Sequence, residues 1–315
     1  MNKKILGIGN AIIDIFVQVS DDYLKKNNLH KGSMKLISED EFNKLISSIK
    51  IKKIVAGGSA ANTMAGISYL NGNSFFIGKI NNDEFGNLYK KSLEDAKVTF
   101  LYLKKKENLS TGASIILITP DSERTMCTYL GVSSQLAADD IKEEALLDKG
   151  LIFLEGYLWD KGNSEKMFKH VIKIAKKNKI KIAMSLSDIF CVQRHKKDFL
   201  KLLKDDLDIL IGNENEMTEL TNSKNLLSAV NKIKNTKKLI VITRNEKGSL
   251  AINNSNTIEC ESSKVKKILD LTGAGDLFAA GFLNEYVNNQ ISIKKCLVNG
   301  SILASKIIQK IGARI

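Results

Sequence analysis

Between Leu151 and Thr243 short apolar runs alternate with amphipathic stretches, and this alternation constrains the fold more than any other feature. Leu151–Leu154 is an apolar run of strand length. Lys166–Lys177 then carries Met167, Val171, Ile174 and Ala175 at helical spacing. Ile180–Met184 reads as a strand, Phe199–Leu203 as helix and Asp208–Ile211 as the next strand. Helices follow from about Glu214, and Leu239–Thr243 is strand again. Strands apolar on both faces, separated by helices, predict an α/β fold with a parallel sheet covered on both sides. The chain has 315 residues, and no linker or repeat divides it, so 1–315 reads as a single catalytic-size domain with an appendage.

The appendage comes from the first half. Ile5–Gly9 reads as a first strand rather than a signal peptide, because no long apolar stretch or cleavage site follows it. Ile12–Val19 alternates only partly. Ser114–Ile118 and Thr125–Tyr129 flank the turn signal Pro120-Asp121-Ser122-Glu123 and predict a hairpin. Short strands from about residues 11–37 and 112–130 predict a small sheet projecting from the main body, a flap able to close over a substrate. Exposed edges of such a sheet leave a monomer or a lid-mediated homodimer as the expected states.

Net charge is +13, which raises the question of a nucleic-acid partner. The charge comes from 44 lysines against four arginines, scattered apart from short runs such as Lys104-Lys105-Lys106, with no aromatics interleaved. Together with abundant Asn and Ile and a single proline, this reads as AT-rich codon usage, and no nucleic-acid partner is expected. A diffuse positive field still favours anionic substrates. No apolar run reaches the roughly 18–20 residues that span a bilayer, so no membrane partner is expected. Cys127, Cys191, Cys260 and Cys296 form no CxxC pair, and His30, His170 and His195 complete no zinc spacing. They read as four reduced thiols of a cytoplasmic protein.

Four segments are candidates for chemistry. Gly7-Ile8-Gly9-Asn10-Ala11-Ile12 begins like a dinucleotide fingerprint, but Ile12 stands where the third glycine belongs and an extended segment with Asp14 follows. A nicotinamide site is therefore not expected, and no GxxxxGK[ST] phosphate loop exists. Gly57-Gly58-Ser59-Ala60-Ala61-Asn62 offers bare backbone and an amide at the start of a helix running to about Tyr69. That suits a polyol; a ligand-free strand-to-helix turn is the plainer alternative. Asp270-Leu271-Thr272-Gly273-Ala274-Gly275-Asp276 followed by Leu277–Gly281 is the sharpest. Gly273, Ala274 and Gly275 leave backbone N–H groups at a helix N-terminus, where phosphate oxygens bind. Asp276, in the first turn, can accept a proton from a hydroxyl attacking a γ-phosphate. Asn213 and Glu216 lie three apart just after a strand, and suit either a hydrated Mg²⁺ with its triphosphate or a capping box.

These residues resemble the ribokinase family, the PfkB-type carbohydrate and nucleoside kinases, over nearly the whole chain. The diagnostic stretches are Gly57–Gly86, GGSAANTMAGISYLNGNSFFIGKINNDEFG, and Asp270–Gly281, DLTGAGDLFAAG. The resemblance implies a three-layer α/β/α sandwich with a mostly parallel sheet and a β-sheet lid, using ATP and Mg²⁺, often with a monovalent cation such as K⁺. It implies Asp276 as base and Gly273, Ala274 and Gly275 as anion hole. It places Asp14, Asn10, Gly57, Gly58, Asn62 and Glu155 around the acceptor. Asn213, Glu216, Thr243, Gly248 and Asn299 then lie along the nucleotide, with Glu216 reaching Mg²⁺ through water. Lid residues Phe16, Met34, Cys127 and Tyr129 would wall the acceptor pocket. Glu123–Ser133, ERTMCTYLGVS, and Met184–Leu200, MSLSDIFCVQRHKKDFL, look like the bacterial adenosine-kinase-like branch. The implied activity is ATP-dependent phosphorylation of a primary hydroxyl, of adenosine first and of a sugar such as ribose or fructose as the alternative. Glu155 favours the alternative, since it resembles a hydroxyl-binding glutamate of ribokinases. Family members usually run a little beyond the position of Ile315.

Overall fold

The computed structural model describes residues 3–102, 106–121, 123–160, 164–254, 256–289 and 292–315. Lys104, Lys105 and Ser122 lie outside the described residues. In chain order the strands are β1 (Lys4–Ile8), β2 (Ile12–Gln18), β3 (Met34–Leu36), β4 (Lys53–Ala56), β5 (Asn73–Ile77), β6 (Thr99–Phe100) and β7 (Thr111–Ile118). They continue as β8 (Arg124–Gly131), β9 (Leu151–Glu155), β10 (Lys181–Ser185), β11 (Ile209–Asn213), β12 (Leu239–Thr243), β13 (Ser249–Asn253) and β14 (Asn256–Cys260).

Nine strands form the main sheet in the order β14-β13-β12-β11-β10-β9-β1-β5-β6. From β6 to β12 every pairing is parallel; β13 and β14 add an antiparallel edge. The strand period sends neighbouring side chains to opposite faces. Ile5, Leu151, Phe153, Leu239 and Val241 enter one core, and Leu6, Ile8, Ile152, Leu154, Ile240 and Ile242 the other. The first core is closed by the helices Ser59–Tyr69, Ala274–Asn289 and Ile293–Ile307, the second by Ser164–Lys177, Ile189–Asp205, Glu214–Leu220 and Leu226–Ile233. Because both faces are covered, the central strands are apolar along most of their length, with polar residues such as Lys4, Glu155, Lys181 and Ser185 at their ends. The result is a three-layer α/β/α sandwich.

The second sheet has five strands in the order β3-β8-β7-β2-β4. β7 and β8 form the expected hairpin, with Ile118 opposite Arg124. β4 falls outside the two expected segments; it pairs antiparallel with β2, Ile13 lying opposite Ala56. Only residues 9–11 separate β1 from β2, so the small sheet is rooted at the carboxyl ends of the parallel strands, where α/β sheets bind ligands. Residues 9–10, Glu155, Asn213 and Thr243 all sit at that edge.

Candidate active site

Asp276 opens the Ala274–Asn289 helix, and the loop before it is fixed by Asp270. Asp270 is buried; its Oδ1 accepts from the Thr272 N–H at 2.6 Å and its Oδ2 from the Gly312 N–H at 2.8 Å. Arg124, at the start of β8, makes an ion pair with the same carboxylate. Gly273 turns the chain at φ +77°, and a Cβ there would meet Ala313 Cα at 2.8 Å. Gly275 and Asp276 follow directly, so their N–H groups have no helical carbonyl one turn earlier. A Cβ at Gly275 would meet nothing within 4 Å, so open space lies over the helix end. The Ala274 N–H differs from expectation: it points back to Leu271 O at 3.2 Å.

The Asp276 carboxylate is held by the neighbouring Ser59–Tyr69 helix. Ser59 Oγ donates to Oδ1 at 2.7 Å, and Asn62 Nδ2 donates to Oδ2 at 3.0 Å. Ser59 and Asn62 share a helix face because they lie three apart. Burial raises the Asp276 pKa, while the Ser59 and Asn62 bonds and the charge of Arg314 oppose the rise.

Asp14, on β2, meets the same region from the small sheet. A Cβ at Gly57 would lie 2.2 Å from Asp14 Oδ2, so the absent side chain at 57 is what admits the carboxylate. Burial, then the nearby Asp276, push Asp14 up to about 7 against the opposing charges of Arg314 and Arg124. Gly58 takes φ +85° at the helix start, and a Cβ there would strike Asn10 O at 2.4 Å. Glu155 ends β9, fully buried, and burial raises it to about 7. Its Oε1 accepts from the Asn10 N–H and its Oε2 from the Ala60 N–H, both at 2.7 Å. Glu155 thus splints the two glycine loops. Gly9 makes room for it, since a Cβ there would lie 2.5 Å from Glu155 Oε2. Asn10 is 5% exposed and its Nδ2 has no hydrogen-bond partner, a donor left over for a ligand.

Asn213 and Glu216, expected along the nucleotide, form a reciprocal capping box. Asn213 N–H donates to Glu216 Oε2 at 2.9 Å, Asn213 Nδ2 to Oε1 at 2.6 Å, and Glu216 N–H to Asn213 Oδ1 at 2.9 Å. Burial raises Glu216 to about 7. Thr243 ends β12 at the same edge of the sheet as Asn213. Gly248 takes φ +82° in the turn to β13, where a Cβ would strike Cys260 O at 2.0 Å. Asn299 lies in the Ile293–Ile307 helix, its amide donating to Glu285 Oε2 at 2.9 Å. Among the described residues the one group with metal-ligating geometry is Asp160, Cys191 and His195, and there Arg194 already holds Asp160 through two bonds of 2.7 Å.

The small sheet divides the expected wall residues by parity. Pairing sets Asp14 beside Ser114, Ser114 opposite Thr128, Phe16 beside Ile116, Ile116 opposite Met126, and Met34 beside Met126. These share the Asp14 face. Cys127 and Tyr129 face the other way, into the core under the Glu39–Ser47 helix with Phe42; the Phe42 and Tyr129 rings are 5.8 Å apart. The expectation that Cys127 and Tyr129 wall the pocket is corrected, and Met126 and Ile116 join Phe16 and Met34 instead.

Sequence reasoning missed Ser59, Arg124 and Arg314 as site residues. Arg314 Nε donates to Asn62 Oδ1 at 3.0 Å, its Nη1 to Ser92 Oγ at 2.8 Å and its Nη2 to Gly57 O at 3.1 Å. Only the scarcity of arginine, four among 48 basic residues, could have singled it out.

Residues 34–315 match the model of the pfkB family carbohydrate kinases. The chain is 28% identical to the adenosine kinase of Dictyostelium discoideum over 337 aligned positions, covering 100% of this chain and 97% of that one. The crystal structure of adenosine kinase from Sinorhizobium meliloti superposes with a TM-score of 0.94 at 33% identity, covering 100% of this chain and 96% of the other. A probable sugar kinase from Rhizobium etli CFN 42 superposes equally, TM-score 0.94 at 32% identity, with the same coverage of 100% and 96%. The match over most of the chain, with the glycine loops and Asp276 gathered at one sheet edge, shows that this protein belongs to the pfkB family of carbohydrate kinases.

Proposed function

We propose that the chain transfers the γ-phosphoryl group of ATP to the primary hydroxyl of adenosine, giving AMP and ADP. One observation carries the acceptor choice: the hydroxyl-handling edge of Asp14, Gly57 and Asn62 adjoins an apolar lid face of Phe16, Met34, Ile116 and Met126. A ribose needs the first, and a flat purine needs the second. The 28% and 33% identical relatives named as adenosine kinases agree with this. The sugar-kinase alternative draws on Glu155, and each oxygen of that carboxylate already accepts one backbone N–H, which gives it a structural duty beside any contact with a hydroxyl. The 32% identical probable sugar kinase keeps it as the second reading.

The residues divide the work. Asp14 and Asn62 orient the acceptor, and the Asn10 amide supplies a further donor. Asp276 accepts the proton of the primary hydroxyl as its oxygen bonds to the γ-phosphorus and the bond to the β-phosphate bridging oxygen breaks. The Gly275 and Asp276 N–H groups, at the positive end of the helix, stabilise the charge on the transferring phosphoryl. The small sheet excludes water, the competing acceptor. The donor set fits Mg²⁺ that arrives on the triphosphate: Glu216 is a single buried carboxylate, too few ligands for a protein cage but suited to a water-mediated contact. Bound there, Mg²⁺ would neutralise charge on the β- and γ-phosphates.

A screen of ATP consumption over nucleosides, pentoses and hexoses tests the reading. Adenosine is expected to give the strongest signal; turnover of a free sugar with none of adenosine reverses the ranking.

A further inference from the structure

We infer that Arg314 is a positioning residue of this active site, fixing the Asn62 amide against Asp276 and bringing a positive charge to the Asp14 and Asp276 carboxylates. The inference rests on the kinase reading above. Three observations carry it. The guanidinium makes three bonds, to Asn62 Oδ1, Ser92 Oγ and Gly57 O, at 2.8–3.1 Å. Because Asn62 Oδ1 is held by Arg314, its Nδ2 must point the other way, and that is the group donating to Asp276 Oδ2 at 3.0 Å. An amide free to flip would turn an oxygen toward the base. The segment bearing Arg314 is also fastened to the anion-hole loop: Gly312 N–H donates to Asp270, and Ala313 fills the space beside Gly273. Residues 312–314 therefore span from the phosphoryl side to the acceptor side of the site.

The charge matters as well as the fork. Asp14 from β2, Asp276 from the Ala274–Asn289 helix and Tyr89 from the Glu84–Asp95 helix face Arg314; burial raises the pKa of all three, and the Arg314 charge opposes the rise. Arg124 from β8 acts on Asp14 in the same direction. Glu155, bonded to both glycine loops, is itself raised by Asp276. Behind Arg314, a cavity of about 350 Å³ carries Lys53, Lys91 and Asp95. With Arg314 neutralised, the mutual repulsion of Asp14 and Asp276 loses its main counter-charge, and protons are held to higher pH.

The test compares Arg314→Gln with Arg314→Lys, reading kcat, KM and the pH profile of kcat/KM. R314Q is expected to move the acidic limb up by about one pH unit and to lower kcat/KM at neutral pH about tenfold or more. R314K keeps the charge but not the planar fork, so its limb stays in place while kcat falls. Unchanged ATP binding and melting temperature in both variants identify the losses as local. An R314Q profile whose limb does not move, with kcat/KM within about twofold of the wild type, overturns the inference. Should R314Q fail to fold, R314K alone decides: wild-type kcat with the lysine in place overturns the fork. An otherwise active wild type separates this failure from failure of the kinase reading, in which no phosphoryl transfer is seen at all.

Discussion

Ser59 and Asp276, 217 residues apart in the chain, are joined by a hydrogen bond of 2.7 Å in which the hydroxyl donates to the carboxylate. The bond favours the ionised form of Asp276 and opposes the effect of burial. Ser59→Ala should therefore raise the pKa of the base. The acidic limb of the kcat/KM profile should move to higher pH, and kcat at neutral pH should fall about three- to tenfold, as expected for losing one bond to a charged group. A profile that overlays the wild type would separate Ser59 from the base.

Asp14 gives a second pH dependence. Burial holds its pKa near 7, so in the free protein the carboxyl is largely neutral below that value and ionised above it. An ionised carboxylate is the stronger acceptor for ribose hydroxyls. Adenosine should bind more tightly as pH rises through about 7, measured calorimetrically without ATP. Asp14→Asn should bind weakly and without this dependence. Equal pH dependence in both proteins would assign the titration to another group.

The two glycines before Asp276 should fail differently. A Cβ at Gly275 meets nothing within 4 Å, so Gly275→Val should fold and melt like the wild type yet lose phosphoryl transfer, because the side chain fills the space over the helix end. Gly273→Ala puts a Cβ 2.8 Å from Ala313 Cα at φ +77° and should cost about 1–3 kcal/mol of stability. Thermal melts and initial rates of the pair distinguish them; an active Gly275→Val enzyme would contradict the anion hole.

Much of the fold was legible because the physics is local. Leu151–Leu154 and the first four residues of Leu239–Thr243 are apolar at every position since helices cover both faces, and the structure places the two stretches at β9 and β12. The Gly273–Asp276 segment was legible because a glycine turn, a helix start and a carboxylate come in one stretch. What escaped notice depends on pairing across the chain. Cys127 and Met126 are neighbours, yet only the register against β7 and β2 decides which faces Asp14. β4 went unseen because its sequence, Lys-Ile-Val-Ala, is short and half exposed. The Asn213–Glu216 spacing suits both a metal element and a capping box; the box is formed, and a metal role rests on what remains of Glu216. Glu155 looked like a ligand for hydroxyls, but its partners are backbone groups that no spacing rule announces. Arg314 reaches Asn62 from 252 positions away, and no local pattern marks that contact.

The proposed transfer requires Asp276 to take the acceptor's proton, and Asp276→Asn tests this most directly. The variant keeps the shape and one hydrogen-bond acceptor but cannot serve as base. Single-turnover transfer from ATP to adenosine should slow by about 10²–10⁴-fold while ATP binding stays close to the wild type. Transfer at a near-normal rate by the asparagine variant would contradict the mechanism.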